Sequence, residues 1–180
     1  MAASFQIRKF REEDAEAVQE VFTVGMSEHV PSSFTHILKQ PLTQMVLMCV
    51  FCALMTSSKS FLLPILAVTL LLAATRQIVV HMFNSYIESS LKKDLRNISD
   101  TYLKHKNSCF WVAEVDGRIV VIGDGIAKAL CGTVADFTRD RGFAAVVLYT
   151  SVVQRDAQHL YENLGYEKTK EFPAPEILPK

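Results

Sequence analysis

The longest apolar stretch of the chain covers residues 42–74 and is interrupted once by polar residues, at positions 56–60. A helix that crosses a membrane needs roughly 20 apolar residues to span about 30 Å of hydrocarbon. Each arm of this stretch is somewhat shorter, so polar residues at its edges must complete the span. The pattern predicts a helical hairpin in a bilayer, with the first arm starting at Pro41 and the second near Ser60.

Three membrane arrangements are compatible with this hairpin: two crossing helices, a loop that dips in and returns, or one crossing helix at residues 61 to about 83. A dipping loop would leave Lys59 deep in hydrocarbon, at a cost of about 2.5–3.5 kcal/mol, so two crossing helices are favoured. A buried hairpin in a soluble core is the remaining alternative, although about 30 apolar residues exceed a usual core helix pair.

The basic residues around the hairpin predict its orientation. Two crossing helices place both flanks on one side, and the positive-inside rule assigns that side to the cytosol. The flanking basic residues are Lys39, Arg76, Lys92, Lys93 and Arg96, against Lys59 in the turn.

The patterns on either side of the hairpin predict strands and helices of a folded domain. Residues 5–10 alternate between apolar and polar, as a half-buried strand does, and a helix follows until Pro31. After the hairpin, a capping-box pattern at Ser85 predicts a new helix that runs to Tyr102. Two strands joined by a tight turn at Asp116-Gly117 come next.

The C-terminal half predicts two more helices and two more strands. One helix opens at Gly125 and ends at Gly142, and a second covers residues 156–164. Residues 144–149 predict a buried strand, and residues 166–172 predict a last one. The expected fold class is therefore α+β, with a mixed α/β sheet and an inserted transmembrane helical hairpin.

Composition excludes several classes of function. The 180 residues include 19 basic and 19 acidic ones, which argues against a nucleic-acid footprint. The first residues lack the apolar core of a signal peptide. The four cysteines form no disulfide framework, and the five histidines are too scattered to complete a zinc site. We predict no metal and no nucleic-acid partner.

Several groups of residues resemble the GNAT acetyltransferase superfamily. They are Gly125-Ile126-Ala127-Lys128-Ala129-Leu130, then Ala145-Val146-Val147-Leu148, then Ala157, Leu160-Tyr161 and Gly165-Tyr166. The apolar hairpin after the first helix, together with residues 25–29 and 108–114, narrows the resemblance to the camello-type membrane-bound N-acetyltransferases. The resemblance covers most of the chain and implies three parts. Residues 1–40 form the first strand and helix of the acetyltransferase domain, residues 41–83 form the transmembrane hairpin, and residues 84–180 form the shortened remainder of the domain.

The resemblance implies a GNAT-like fold and transfer of acetyl from acetyl-CoA to an amine, on a cysteine S-conjugate or a protein lysine. It also implies a location in the endoplasmic reticulum or Golgi-intermediate membrane. The family's pyrophosphate loop maps onto Gly125, Ile126, Ala127 and Lys128, where a helix N-terminus offers free N–H groups to an anion. The family's tyrosine near the CoA sulfur maps onto Tyr161, as general acid.

The chain departs from the family between Glu114 and Gly125, where it is too short for the family's long central strand. The missing stretch includes the usual carboxylate general base, and Ile122 takes the place of the polar residue that opens the loop. As an N-cap, Asp124 would occupy the N–H groups that should hold phosphate and would repel the anion. We therefore expect an incomplete fold.

This shortened form leaves a second function open. The chain could be a catalytically impaired membrane protein that pairs with itself or with intact family members through the hairpin.

The sequon Asn97-Ile98-Ser99 tests the predicted sidedness. With the flanks of the hairpin in the cytosol, Asn97 receives no glycan, so glycosidase treatment should leave the mobility of the protein on a gel unchanged. The variant Asn97→Gln is the control. A mobility shift that disappears in this variant would show that the domain faces the lumen.

Overall fold

A computed structural model describes residues 5–58, 60–120 and 125–172. The chain forms two compact units, one made of residues 1–18 and 98–180 and the other of residues 19–97. We call them the sheet unit and the helical unit. The elements in chain order are β1 (Gln6–Lys9), a 3₁₀ turn (Glu12–Asp14), α1 (Ala15–Ser27), α2 (His29–Leu38), α3 (Pro41–Ser58), α4 (Leu62–Lys92), a π turn (Ser99–Leu103), β2 (Trp111–Val115), β3 (Arg118–Val120), α5 (Ile126–Asp140) and α6 (Arg155–Asn163).

The sheet unit is built on an antiparallel sheet in the order β1-β2-β3. Arg8 of β1 lies opposite Val112 of β2, although the whole helical unit separates the two strands in sequence. Asp116 and Gly117 have φ angles of 48° and 76°, as the tight turn between two twisted strands requires. The predicted first strand and the predicted strand pair with its turn are confirmed.

The core of the sheet unit lies between the sheet and α5, which packs against β1 and β2. Two aromatic contacts fill one end of it. The ring of Phe110 lies 5.6 Å from that of Phe10 and 5.4 Å from that of Tyr102, measured between centroids. The most buried apolar residues of this unit are Phe10, Val18, Ile98, Val112, Ala113 and Ile126.

In the helical unit, α3 and α4 pack side by side, and α2 packs against both. Both long helices expose large apolar side chains, and Leu42 and Leu62 are 72% and 76% exposed. By length and composition, each helix is able to cross a membrane. The most apolar windows of α3 and α4 are 0% and 11% buried, so the alternative of a core hairpin buried within this chain is wrong.

The second long helix continues well past the predicted anchor. α4 has 31 residues, or about 46 Å at 1.5 Å per residue, against about 30 Å of hydrocarbon. The predicted new helix at Ser85 is therefore wrong, because Ser85 lies inside α4. Capping is a weak preference, and continuing a hydrogen-bonded helix avoids the cost of a new nucleus. The predicted course to Tyr102 is interrupted after Lys92, although Leu95 and Ile98 beyond it remain buried.

The boundary near Pro31 also differs from the prediction. α1 ends at Ser27, and Pro31 is the third residue of α2. Proline is tolerated in the first turn of a helix, because the N–H that it lacks would have no helical partner there. The proline therefore lies inside a second helix and does not end the first.

The two C-terminal strands predicted at residues 144–149 and 166–172 are absent from the structure. Residues 144–149 form a bend followed by irregular backbone that pairs with no strand of the described chain, and Val147 is 73% exposed. An alternating sequence pattern only favours the strand conformation, and a strand also needs a neighbouring strand to form hydrogen bonds with its backbone. Only residues 121–125 separate β3 from α5, too few for the long central strand of the family.

Arg8 connects three parts of the sheet unit through its side chain. Its Nη1 and Nη2 atoms donate to the two carboxylate oxygens of Asp14 at 2.6 and 2.8 Å, and its Nε donates to Glu114 at 2.5 Å. Asp14 is 5% exposed and also accepts a hydrogen bond from the backbone N–H of Arg11 at 2.8 Å. The hydrogen bonds from Arg8 are the main reason that the pKa of Asp14 lies below its usual value.

Replacing Asp14 with asparagine should lower the free energy of unfolding by about 2–3 kcal/mol, because the Arg8 guanidinium then keeps only one of its two carboxylate partners, at a poorly hydrated position. Thermal unfolding in detergent, followed by circular dichroism, measures the loss. Glu13→Gln is the matched control, since its ion pair with Arg11 is exposed and such pairs contribute about 0–1 kcal/mol. Equal losses in the two variants would contradict a special role for Asp14.

The contribution of Asp14 should also depend on pH. Its folded pKa is depressed below the unfolded value near 3.8, so its stabilisation is complete well above pH 3.8 and is lost as pH falls through that value and below. The difference in unfolding temperature between the native chain and Asp14→Asn should therefore shrink between pH 6 and pH 3. A difference that stays constant over this range would exclude the ion pair as its cause.

Candidate active site

The N-terminus of α5 is shaped by Gly125, which has a φ of 84°. A residue with a side chain pays about 1–2 kcal/mol in this left-handed region, so glycine is favoured. The next residue, Ile126, is 2% exposed and anchors the helix start in the core, whereas Ala127 and Lys128 are exposed. The N-cap residue Gly125 makes no side-chain hydrogen bond to this end of the helix, and the first N–H groups of a helix have no acceptor within the helix itself.

An open helix N-terminus attracts anions, because its free N–H groups and the helix dipole both favour negative charge. Lys128 adds a positive charge within the first turn. Asp124, which was predicted to compete with phosphate for these N–H groups, lies outside the described residues, as do Gly123 and Ile122. Gly125, and not Asp124, occupies the N-cap position of α5.

Tyr161 lies on α6 and is half-buried. α6 ends in a turn closed by Gly165, whose φ is 87°, and the N–H of Tyr166 donates back to the carbonyl of Tyr161 at 3.0 Å. This turn folds Tyr166 onto Tyr161, with 5.8 Å between the ring centroids. Burial is the first cause that raises the pKa of Tyr161 above its ordinary value, and Cys131 and Tyr166 raise it further.

Cys131 lies four residues after Ala127, on the same face of α5, and is half-buried. Burial raises the pKa of its thiol. In its ionised form the thiolate adds to the causes that raise the pKa of Tyr161 and of Tyr166, after burial of those two side chains. The sequence predicted a small buried residue at this position.

The structure describes two parts of the predicted site, the start of α5 and the phenol of Tyr161. Cys131 lies one turn, about 6 Å, beyond Ala127 along α5, and the approach of Tyr161 to the predicted pyrophosphate loop stays a prediction. A phenol with a raised pKa stays protonated at neutral pH and is able to donate its proton.

Two other observations concern Glu114 and groups of possible metal ligands. Glu114, which lies in the family-like segment before the turn, accepts a hydrogen bond from Arg8 and serves the fold of the sheet unit. Among residues 5–58, 60–120 and 125–172, no three His, Cys, Asp or Glu side chains converge as metal ligands would.

Curated proteins provide close relatives of this chain. N-acetyltransferase 8 of Rattus norvegicus is 36% identical over 197 residues, which cover 94% of this chain and 89% of the relative. N-acetyltransferase 8B of Homo sapiens is 34% identical, over 93% of this chain and 86% of the relative. The probable N-acetyltransferase camello of Xenopus tropicalis is 32% identical, over 98% and 90%. The chain belongs to the camello family of N-acetyltransferases.

The extent of these alignments includes both halves of the candidate site. Of the 180 residues, 94% is about 169, and any continuous stretch of that length contains residues 125–161. The same comparison indicates a deletion. The alignment with the rat relative has 197 positions, and only about 169 of them are occupied by residues of this chain, so about 28 residues of the relative have no counterpart here. That number is large enough for the predicted missing strand. No family model and no solved structure matches the chain.

Gly125→Ala and Gly132→Ala should change stability in opposite directions. Alanine at Gly125 must adopt a positive φ, so the variant should lose about 1 kcal/mol of folding free energy. Alanine at Gly132, inside α5 with nothing within 4 Å of an added Cβ, should add about 0.5–1 kcal/mol. Thermal unfolding of the two variants measures both. Equal stabilisation would show that Gly125 does not hold a left-handed conformation.

Proposed function

We propose that this chain is a membrane-bound N-acetyltransferase that transfers the acetyl group of acetyl-CoA to an amine. The observation that carries this proposal is the membership of nearly the whole chain in the camello family of N-acetyltransferases. The sheet unit adds a helix N-terminus whose N-cap is glycine and a half-buried tyrosine, and both support the chemistry proposed on the donor side. A GNAT-like arrangement of the sheet unit is part of the proposal.

The N-terminus of α5 is suited to the pyrophosphate of acetyl-CoA. The N–H groups of Ile126, Ala127 and Lys128 belong to the first turn and have no helical acceptor. Gly125 has no side chain and Ala127 a small, exposed one, so a phosphate is able to approach the backbone closely. These four residues would bind the anionic part of the co-substrate and thereby orient its thioester.

Tyr161 is the proposed general acid. Acetyl transfer to an amine needs a neutral nucleophile, an oriented thioester and a proton for the departing thiolate. The pKa of Tyr161 is raised by burial, which keeps the phenol protonated at the pH where the amine is partly neutral. In the proposed reaction its Oη gives a proton to the thiolate as the amide bond forms.

The helical unit is the proposed membrane anchor. The apolar, exposed surfaces of α3 and α4 support two crossing helices, and Lys39 and Arg76 near the predicted boundary support a cytosolic side for both flanks. The proposed compartment is the endoplasmic reticulum or Golgi-intermediate membrane. The anchor predicted at residues 41–83 then corresponds to α3 and to the part of α4 that precedes its extension beyond the lipid.

The acceptor is proposed to be the amine of a cysteine S-conjugate or of a protein lysine. Purified protein in detergent, incubated with acetyl-CoA and either acceptor, should yield an acetylated product by mass spectrometry. Calorimetry should detect acetyl-CoA binding without an acceptor. A chain that shows neither binding nor turnover would contradict the proposal and would support the non-catalytic alternative.

Tyr161→Phe should lower kcat by about 100-fold, because proton donation by a positioned group typically contributes at least that factor. The affinity for acetyl-CoA should remain unchanged, since the helix N-terminus is intact. Tyr149→Phe is the matched control, because Tyr149 is 70% exposed and lies outside the candidate site. A Tyr161→Phe enzyme with native kcat, or with a loss equal to that of Tyr149→Phe, would exclude the general-acid role.

A further inference from the structure

The turn that ends α6 brings Tyr166 back onto the last residues of the helix. The N–H of Gly165 donates to the carbonyl of Glu162 at 3.0 Å, and the N–H of Tyr166 donates to the carbonyl of Tyr161 at 3.0 Å. Gly165 has a φ of 87°, and these two hydrogen bonds are those of the Schellman motif, which commonly ends a helix. The motif therefore fixes the backbone of Tyr166 relative to that of Tyr161.

Tyr161 belongs to the half-buried stripe of α6. The half-buried residues in this part of the chain recur at intervals of three or four, as one face of a helix does, and they include Ala157, Leu160, Tyr161 and Leu164. On a helix, a tyrosine has two common values of χ1. Proton donation to one atom of a bound co-substrate requires that one of these two orientations is favoured.

The ring of Tyr166 meets the ring of Tyr161 edge to face. The ring centroids lie 5.8 Å apart, and the ring planes are inclined at 62°. Such a contact has a preferred geometry, because the edge of an aromatic ring is positive and its face is negative. Since the Schellman motif holds the backbone of Tyr166, its ring restrains the orientation of Tyr161.

We propose that Tyr166 is a positioning residue, whose ring holds the phenol of Tyr161 in the orientation from which its Oη protonates the departing thiolate. This inference rests on the proposed function, in which Tyr161 is the general acid. The thioester C–S bond breaks as the amide C–N bond forms, and the proton passes from Oη of Tyr161 to the sulfur. The amine nitrogen releases one proton in the same reaction, which restores the phenol. The hydroxyl of Tyr166 takes no part in the transfer.

A purely structural role for Tyr166 predicts a different pattern of variants. An apolar side chain at this position of a Schellman motif often packs on the end of the helix, and leucine would supply that contact as well as tyrosine does. A positioning role needs the ring. Tyr166→Leu keeps the apolar contact without a ring, whereas Tyr166→Phe keeps the ring without a hydroxyl, so the two variants separate the roles.

Tyr166→Leu should lower kcat by about tenfold, because a small displacement of a reacting group costs a large factor in rate. The KM for acetyl-CoA should stay unchanged, and Tyr166→Phe should retain the native kcat. The assay uses the purified full chain in detergent, with acetyl-CoA and a cysteine S-conjugate or a lysine peptide. A native kcat in Tyr166→Leu would overturn the proposal. So would a loss in Tyr166→Phe equal to that in Tyr161→Phe, since the Tyr166 hydroxyl would then lie on the path of the proton.

A double-mutant cycle tests whether Tyr166 acts through Tyr161. In a Tyr161→Phe background there is no phenol to position, so the addition of Tyr166→Leu should cause no further loss of kcat. If Tyr166→Leu instead lowered kcat by the same factor in both backgrounds, Tyr166 would affect the rate by a separate route, and the proposal would be wrong.

Gly142→Ala is the matched control for a loss of stability. Gly142 also closes a helix with a positive φ, 71°, and a Cβ added there meets nothing within 4 Å. This variant should therefore lower the unfolding temperature through its backbone alone and keep the native kcat well below that temperature. Equal losses of kcat in Gly142→Ala and Tyr166→Leu would assign the effect to stability and overturn the proposal.

A measurement without turnover separates this proposal from the proposed function. The chain has five tyrosines, so labelling with 3-fluorotyrosine gives five fluorine NMR signals, and Tyr161→Phe identifies the signal of residue 161. Tyr166→Leu should shift that signal, whereas Tyr149→Phe should leave it in place, because Tyr149 is 70% exposed. An unshifted signal in Tyr166→Leu would overturn the positioning contact, whereas a native chain without turnover would contradict the proposed function.

Discussion

One guanidinium group connects the parts of the sheet unit that are most distant in sequence. Arg8 binds Asp14, in the turn that follows β1, and Glu114 on β2, and the whole helical unit lies between those strands in the chain. Joining strands across such a distance costs loop-closure entropy, but this cost rises by only about 0.6 kcal/mol for each doubling of loop length. The ion pairs of Arg8 and the hydrogen bonds between β1 and β2 offset this entropy cost. The chain is therefore able to carry an apolar hairpin in the part of the sequence that separates the two strands.

The candidate site depends on two helix ends that are each set by a glycine. Gly125 is the N-cap of α5 and adds no side chain of its own to the helix start, and Gly165 closes α6 so that Tyr166 folds back on Tyr161. These two helix ends hold the residues that the family resemblance assigns to acetyl-CoA binding and to proton donation. Membership in the camello family shows the lineage of these parts, and acetyl transfer is the function proposed from them.

Local patterns predicted much of this fold, whereas the site residues came from the family resemblance and stay a prediction. The patterns predicted β1, the β2–β3 pair with its Asp116-Gly117 turn, the apolar hairpin, and α5 from Gly125 to Gly142, since neighbouring residues determine each of these. They failed where the outcome depends on distant partners. Residues 144–149 have the composition of a buried strand but pair with no strand among the described residues. The capping pattern at Ser85 is overridden by a continuous helix.

The length of α3 has a consequence for where the protein would reside. Its 18 residues rise about 27 Å, which equals the hydrocarbon thickness of the endoplasmic reticulum membrane and falls short of the roughly 32–33 Å of the plasma membrane. α4 is long enough for either. In the thicker membrane, the bilayer would have to become thinner around α3, or the polar residues at the two ends of α3 would enter the hydrocarbon layer. If the hairpin crosses the bilayer as proposed, its short arm would fit the membrane of the proposed early secretory compartments better than the plasma membrane.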